Sequence, residues 1–169
     1  NKKLLIGLAI SPPKRGFEDI LKMTTEIGID IIQPLISERQ IKKISNQSLK
    51  MDRWDSIINE SVEQSERLWR PELYSFIDVN DWINSLNKND FVSISVTRSD
   101  NTIGLRKWIS NKKIIKEKNF IIWNVIGPEG GWSKNEIEKF RNLKMQFIKL
   151  SENILRTSTA AINTASVLA

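Results

Sequence analysis

Strand-sized apolar runs alternate with amphipathic helical stretches along the whole chain, and this alternation limits the possible folds more than any other feature. Leu4–Ile10 is a continuous apolar run, the pattern of a strand buried on both faces of a parallel sheet. Phe17, Ile20, Leu21, Thr24 and Ile27 recur at helical intervals, and Gly28 follows where a C-cap glycine belongs. Residues 29–36 predict a second strand, with Pro34 expected to mark a bulge or an edge near its end. Trp54, Ile57, Ile58, Ser61, Val62, Ser65, Leu68 and Trp69 form one stripe of a long helix over residues 49–69, which Pro71 stops. A strand over 73–77, a helix over 79–86 and strands over 91–96 and 119–126 follow. A helix over 133–143, a strand over 146–150 and a helix from 154 to the end close the series. Strands separated by helices predict an α/β fold of three layers, α/β/α, around a mostly parallel sheet. With no repeat, low-complexity tract or Pro/Gly/Ser linker, residues 1–169 read as one domain.

Open α/β sheets bind ligands at the carboxyl ends of their strands, so the loops there are the places to look. After the strand at 119–126 comes Gly127-Pro128-Glu129-Gly130-Gly131-Trp132-Ser133, where three of the chain's seven glycines fall within five positions. Glycine lets a backbone approach a ligand with no Cβ in the way; a tight turn needing glycine for geometry alone is the plain alternative. Ser133 with Glu136 three residues on forms a capping box that fixes the start of the next helix. The loop has neither the lysine and hydroxyl of a nucleotide-triphosphate cradle nor the spacing of a dinucleotide fingerprint.

A second segment, Leu150-Ser151-Glu152-Asn153-Ile154-Leu155-Arg156-Thr157-Ser158, ends a strand and puts an arginine at the mouth of a helix of small residues. Thr157 and Ser158 suit simple N-capping, while Arg156 at a helix start suits an anion. In the third segment, Glu63 and Arg67 suggest an i,i+4 ion pair on a solvated helix face.

Composition removes several chemistries. The chain has no His and no Cys, so disulfides, thiolate nucleophiles, Ser–His relays and the usual zinc sites are excluded. No clustered acidic loop suggests a hard metal ion, and none is expected. Hydrophobic content of 40% and charged content of 27% are those of a soluble globular protein. No apolar run could span a bilayer and no export signal opens the chain, so a cytoplasmic location is expected. The net charge of +6 points to a polyanion. Seven Lys/Arg lie between residues 98 and 118 against two acids, and Arg39, Lys42, Lys43, Lys50 and Arg53 make a second group. These are either phosphate-contacting patches or solvated faces.

Five segments in register resemble one family. They are Thr25-Glu26-Ile27-Gly28-Ile29; Pro34-Leu35-Ile36-Ser37-Glu38-Arg39; Glu63-Gln64-Ser65 with Arg67 and Pro71; Ile126-Gly127-Pro128-Glu129-Gly130-Gly131; and Ile154-Leu155-Arg156-Thr157. Together they resemble the uridine-N3 methyltransferases of small-subunit (16S) ribosomal RNA, the RsmE type of the SPOUT superfamily. The resemblance implies a deep trefoil knot near the carboxyl end, a homodimer, and S-adenosylmethionine held by three loops. By position these loops supply Val96 and Thr97; Ile126, Gly127, Pro128, Gly130 and Gly131; and Leu150, Ile154, Leu155 and Thr157. Arg156 is expected to supply positive charge to the uracil oxygens or an adjacent phosphate. The general base is a carboxylate or water, and Glu129, close in sequence to the cofactor loop, is either that base or a residue serving the turn. Arg15, Arg39, Arg98, Arg106 and Lys107 are expected to engage the RNA of the small ribosomal subunit by charge.

Three departures from the family stand out. Its small PUA-like β-barrel RNA-binding domain is missing ahead of residue 1, so a fragment of a longer chain is expected. Ser151 stands where glycine is usual, and Ser158 where glutamate is usual. They motivate an alternative, a non-catalytic RNA-binding module of the same fold. A methyltransferase acting on a ribose hydroxyl or on transfer RNA is the nearer rival.

Overall fold

The computed structural model describes residues 4–40, 47–97, 99, 101–112 and 120–169. The two longest apolar runs, β1 (Leu4–Ile10) and β7 (Phe120–Ile126), lie side by side in parallel, in register from Leu4 opposite Phe120 to Ile10 opposite Ile126. Between them in sequence come α1 (Phe17–Ile27), β2 (Ile31–Ile36), α2 (Gln47–Gln64), β3 (Glu72–Leu73), β4 (Ile77–Asp78), α3 (Val79–Ser85), β5 (Phe91–Ser95), β6 (Ile103–Gly104) and α4 (Leu105–Ser110). After β7 follow α5 (Lys134–Asn142), β8 (Gln146–Lys149) and α6 (Thr157–Leu168). The strand order is β3-β2-β1-β7-β5-β8-β6, with β4 also on β2, and every pairing is parallel.

Side chains of successive strand residues go to opposite faces, which builds the three expected layers. Ile6, Leu8, Ile10 and Ile126 pack against α1, α2 and α6. Ala9, Ile31, Val125 and Trp123 pack on the other face against α3 and α5. A third cluster joins Leu105 and Trp108 of α4 to Ile122, Ile148 and the end of α6.

Several boundaries differ from the sequence expectation for identifiable reasons. Pro34 makes no bulge in the β1 ladder, since it is paired in register with Ile10. It stands where the outer ladder of β2 breaks between β3 and β4, a place where a missing N–H costs nothing. The strand expected over 73–77 is these two short strands, and Asp78 caps α3 by accepting the Asn80 N–H at 2.8 Å.

The long helix stops at Gln64, and Glu66 takes a left-handed φ of 53°. The stripe therefore ends early, leaving Leu68 86% and Trp69 66% exposed. Arg67 is then outside the helix and does not pair with Glu63. Its guanidinium turns inward, donates to the Thr25 carbonyl at 2.9 Å and lies 3.6 Å from Asp30. β6 and α4 were not foreseen, because Leu105, Trp108 and Ile109 sit inside a run of basic residues that hides their helical spacing. α6 starts at Thr157 rather than Ile154; Arg156 occupies the N-cap without a side-chain cap bond, so neither Thr157 nor Ser158 is the cap.

Candidate active site

At the carboxyl edge of the sheet, β7 runs into the glycine-rich loop, and the next residues show why it needs glycine. A Cβ on Gly127 would lie 2.7 Å from the Trp132 ring. That indole folds back under the loop, edge-on to Phe140 at 5.1 Å, and its Nε1 donates to the Ser95 carbonyl at 3.1 Å. Gly131 has φ 69°, and its N–H closes the turn onto the Pro128 carbonyl at 2.8 Å. Gly130 is different: a Cβ there would make ordinary contact with the Arg39 carbonyl at 3.5 Å.

The capping box is present. Ser133 Oγ accepts the Glu136 N–H at 3.0 Å, and Glu136 Oε2 accepts the Ser133 N–H at 2.8 Å. Glu136, only 1% exposed, also accepts the Glu38 N–H through Oε1 at 3.1 Å. Arg39 Nη1 donates to the Gly130 carbonyl at 3.3 Å. The loop after β2 thus braces the loop after β7 at Gly130 and the first turn of α5 at Glu136, which local capping alone does not reveal.

Three loops converge on one cavity of 490 Å³. Ser95 ends β5, with Val96 and Thr97 after it; Ile126 ends β7, with Gly127, Pro128, Glu129, Gly130, Gly131 and Trp132 after it; Leu150, Ser151, Asn153, Ile154 and Leu155 follow β8, and Thr157 opens α6. Arg39, Ile137 and Ala160 complete the lining. All eleven residues expected to hold a cofactor are among them: Val96, Thr97, Ile126, Gly127, Pro128, Gly130, Gly131, Leu150, Ile154, Leu155 and Thr157. Ser151 is part of the lining, and its Oγ turns back to accept the Asn153 N–H at 3.1 Å.

A second cavity of 510 Å³ is lined by Pro13, Arg15, Glu129, Leu155, Arg156, Thr157 and Ser158. It shares Glu129, Leu155 and Thr157 with the first. Two arginines and one carboxylate therefore face a space next to the glycine-lined cavity, which suits an anionic or oxygen-rich ligand. Arg15 and Arg156 are brought together here, whereas Arg39 lines the first cavity. Arg106 and Lys107 are exposed on α4 and line neither cavity. Arg98, like Lys42, Lys43, Lys113, Lys116 and Lys118, lies outside the described residues. No group of three or more metal-binding side chains occurs among the described residues.

Sequence reasoning missed Trp132 and Ser95. The indole was detectable as a tryptophan five residues beyond Gly127.

A three-layer parallel α/β domain with glycine-lined loops around a cavity at its carboxyl edge defines the class, and the chain belongs to the RNA methyltransferase domain family, which it matches over residues 1–169. Its relatives include Ribosomal RNA small subunit methyltransferase E. The protein of that name from Synechocystis sp. is 32% identical over 158 residues, covering 93% of this chain and 50% of that protein. The one from Mesomycoplasma hyopneumoniae is 33% identical over 161 residues, covering 95% of this chain and 66% of the relative. A crystal structure of Ribosomal RNA small subunit methyltransferase E from Neisseria gonorrhoeae, bound to S-adenosyl methionine, superposes with a TM-score of 0.80 at 26% identity. That match covers 96% of this chain and 64% of the other. The chain thus spans between half and two thirds of the length of these relatives.

Proposed function

We propose that the chain is the catalytic domain of an S-adenosylmethionine-dependent methyltransferase that modifies N3 of a uridine in 16S ribosomal RNA. The observation that carries this reading is the convergence of three loops, one of them glycine-rich, on a single cavity in a chain of this family. The cavity fits the cofactor. Its glycine loop presents main chain rather than side chains, and its lining mixes carbonyls with apolar groups such as Ile126, Leu150 and Leu155, which suits an adenosine and a short aliphatic chain.

When bound, S-adenosylmethionine supplies a methyl group already activated by its sulfonium. The residues of this chain do the rest. The loops after β5, β7 and β8 orient the donor, and alignment of this kind is worth up to roughly 7–11 kcal/mol in favourable systems. Uracil N3 is a poor nucleophile until its proton leaves. Arg156 in the second cavity stabilises the charge that builds on the uracil oxygens, in the manner of a preorganised oxyanion site. Glu129, on the wall between the two cavities, takes the N3 proton. Arg15, with Arg106 and Lys107 farther out, engages RNA phosphates.

A trefoil knot belongs to this reading. It is supported by β8 lying between β5 and β6, two strands joined by residues 96–102, while the chain leaving β8 lines the same cavity as the end of β5. A homodimer is supported by Ile154, a large apolar side chain 62% exposed on the lining of the first cavity. A ribosomal target supports a cytoplasmic location; no helix among the described residues is long and apolar enough to cross a membrane.

The test is incubation with small ribosomal subunits lacking the modification, followed by mass spectrometry of the nucleosides. The reading expects 3-methyluridine. A ribose-methylated nucleoside, or methylation of transfer RNA alone, would replace it with the neighbouring specificity; no methylation at all, with the cofactor bound, would favour an RNA-binding module.

A further inference from the structure

Asn124 is an anomaly in its strand. It lies at the centre of the sheet, 0% exposed, on the face shared by Ile122 and Ile126. A buried amide costs stability unless its hydrogen bonds are met. Here they are met by three hydroxyls from two other elements. Oδ1 accepts from Ser95 Oγ of β5 and from Thr164 Oγ1 of α6, both at 2.9 Å. Nδ2 donates to Ser93 Oγ at 2.9 Å, and Ser93 Oγ donates onward to the Trp123 carbonyl at 3.1 Å.

These partners connect to the donor cavity on two sides. Ser95 lines it, and its carbonyl holds the Trp132 indole that supports Gly127. Thr164 lies one turn along α6 from Ala160, another lining residue, on the same helix face. Asn124 itself lines neither cavity. One amide oxygen therefore ties the β5 wall to the α6 wall from behind.

We propose that Asn124, through Ser95 and Thr164, is a positioning residue that sets the separation of these two walls and hence the affinity for the methyl donor. The inference rests on the methyltransferase reading. It assigns the network to donor binding, so Thr164→Val, at a residue that lines neither cavity, raises KM for S-adenosylmethionine while kcat at saturating donor stays unchanged.

Thr164→Val is the sharpest probe, since it keeps the shape and removes the donor hydroxyl; Thr164→Ser restores the hydroxyl. Ser95→Ala tests the other arm. With each variant shown to be folded by circular dichroism at the working temperature, S-adenosylmethionine is titrated calorimetrically. Thr164→Val and Ser95→Ala are each expected to weaken binding by about fivefold, the scale of one lost internal hydrogen bond, with Thr164→Ser within about twofold of wild type. A purely structural network would lower the melting temperature and leave affinity untouched. Folded Thr164→Val and Ser95→Ala that bind as wild type does would overturn the inference. A wild-type chain that takes up no S-adenosylmethionine would instead overturn the methyltransferase reading, and the inference with it.

Discussion

Trp132 reaches back across the carboxyl edge of the sheet to donate its indole N–H to the Ser95 carbonyl at 3.1 Å, joining the loop after β7 to the end of β5. The same ring fills the space that a side chain on Gly127 would need, with a Cβ–ring distance of 2.7 Å. Gly127→Ala should therefore overpack the loop, lowering stability by about 1–3 kcal/mol and weakening donor binding together. Trp132→Phe keeps most of the ring and loses the hydrogen bond, for a smaller loss of about 1 kcal/mol. Urea unfolding of both variants checks the order.

Arg156 faces the second cavity and does not line the first. Arg156→Ala is expected to bind S-adenosylmethionine with unchanged affinity and to lose about 100-fold or more in methyl transfer, the scale of one removed charge-stabilising donor. Calorimetry paired with a transfer assay on small ribosomal subunits measures both. Parental activity in the mutant would remove Arg156 from the mechanism.

Gly130→Val tests how the glycine loop is braced. The new Cβ would point toward the Arg39 main chain rather than stand free, so its methyl groups should push the loop away from residues 37–39. Partial loss of donor affinity is expected on calorimetric titration, because the nearest group is the Arg39 carbonyl and the loop can shift to relieve the contact. Complete loss would mean that the side chain fills the cavity itself.

Arg67 and Glu63 should behave oppositely. Arg67 is 13% exposed at the side chain and bridges Thr25 and Asp30; burial lowers its pKa, and the neighbouring Asp30 charge opposes that shift. Arg67→Ala should cost about 3 kcal/mol, as breaking a buried pair does. Glu63→Ala, on an exposed position, should change stability by less than about 0.5 kcal/mol. Equal effects would restore the surface ion pair suggested by their spacing.

The central strands, the layers and the loop cluster were legible because they depend on local pattern. The apolar runs that became β1 and β7 needed no tertiary information to be recognised, and the capping box at Ser133 is complete within four residues. What could not be read is what depends on contacts distant in sequence. Glu136 as a brace for Glu38, Trp132 under Gly127 and Arg67 turned toward Asp30 each pair residues that no periodicity links. α4 was missed because Arg106 and Lys107 drew attention to charge while Leu105 and Trp108 carried the fold. The ending of α2 at Gln64 depended on a left-handed Glu66, a conformation its side chain does not advertise.

The central claim is that glycine-supported main chain at the sheet's carboxyl edge grips a methyl donor, and calorimetric titration of S-adenosylmethionine into the chain tests it most directly. Saturable binding at one site per chain, weakened in Gly127→Ala and unchanged in Arg156→Ala, is predicted. A folded wild-type chain giving no binding heat at any temperature, with no protection of residues 127–131 from hydrogen exchange by added donor, would contradict it.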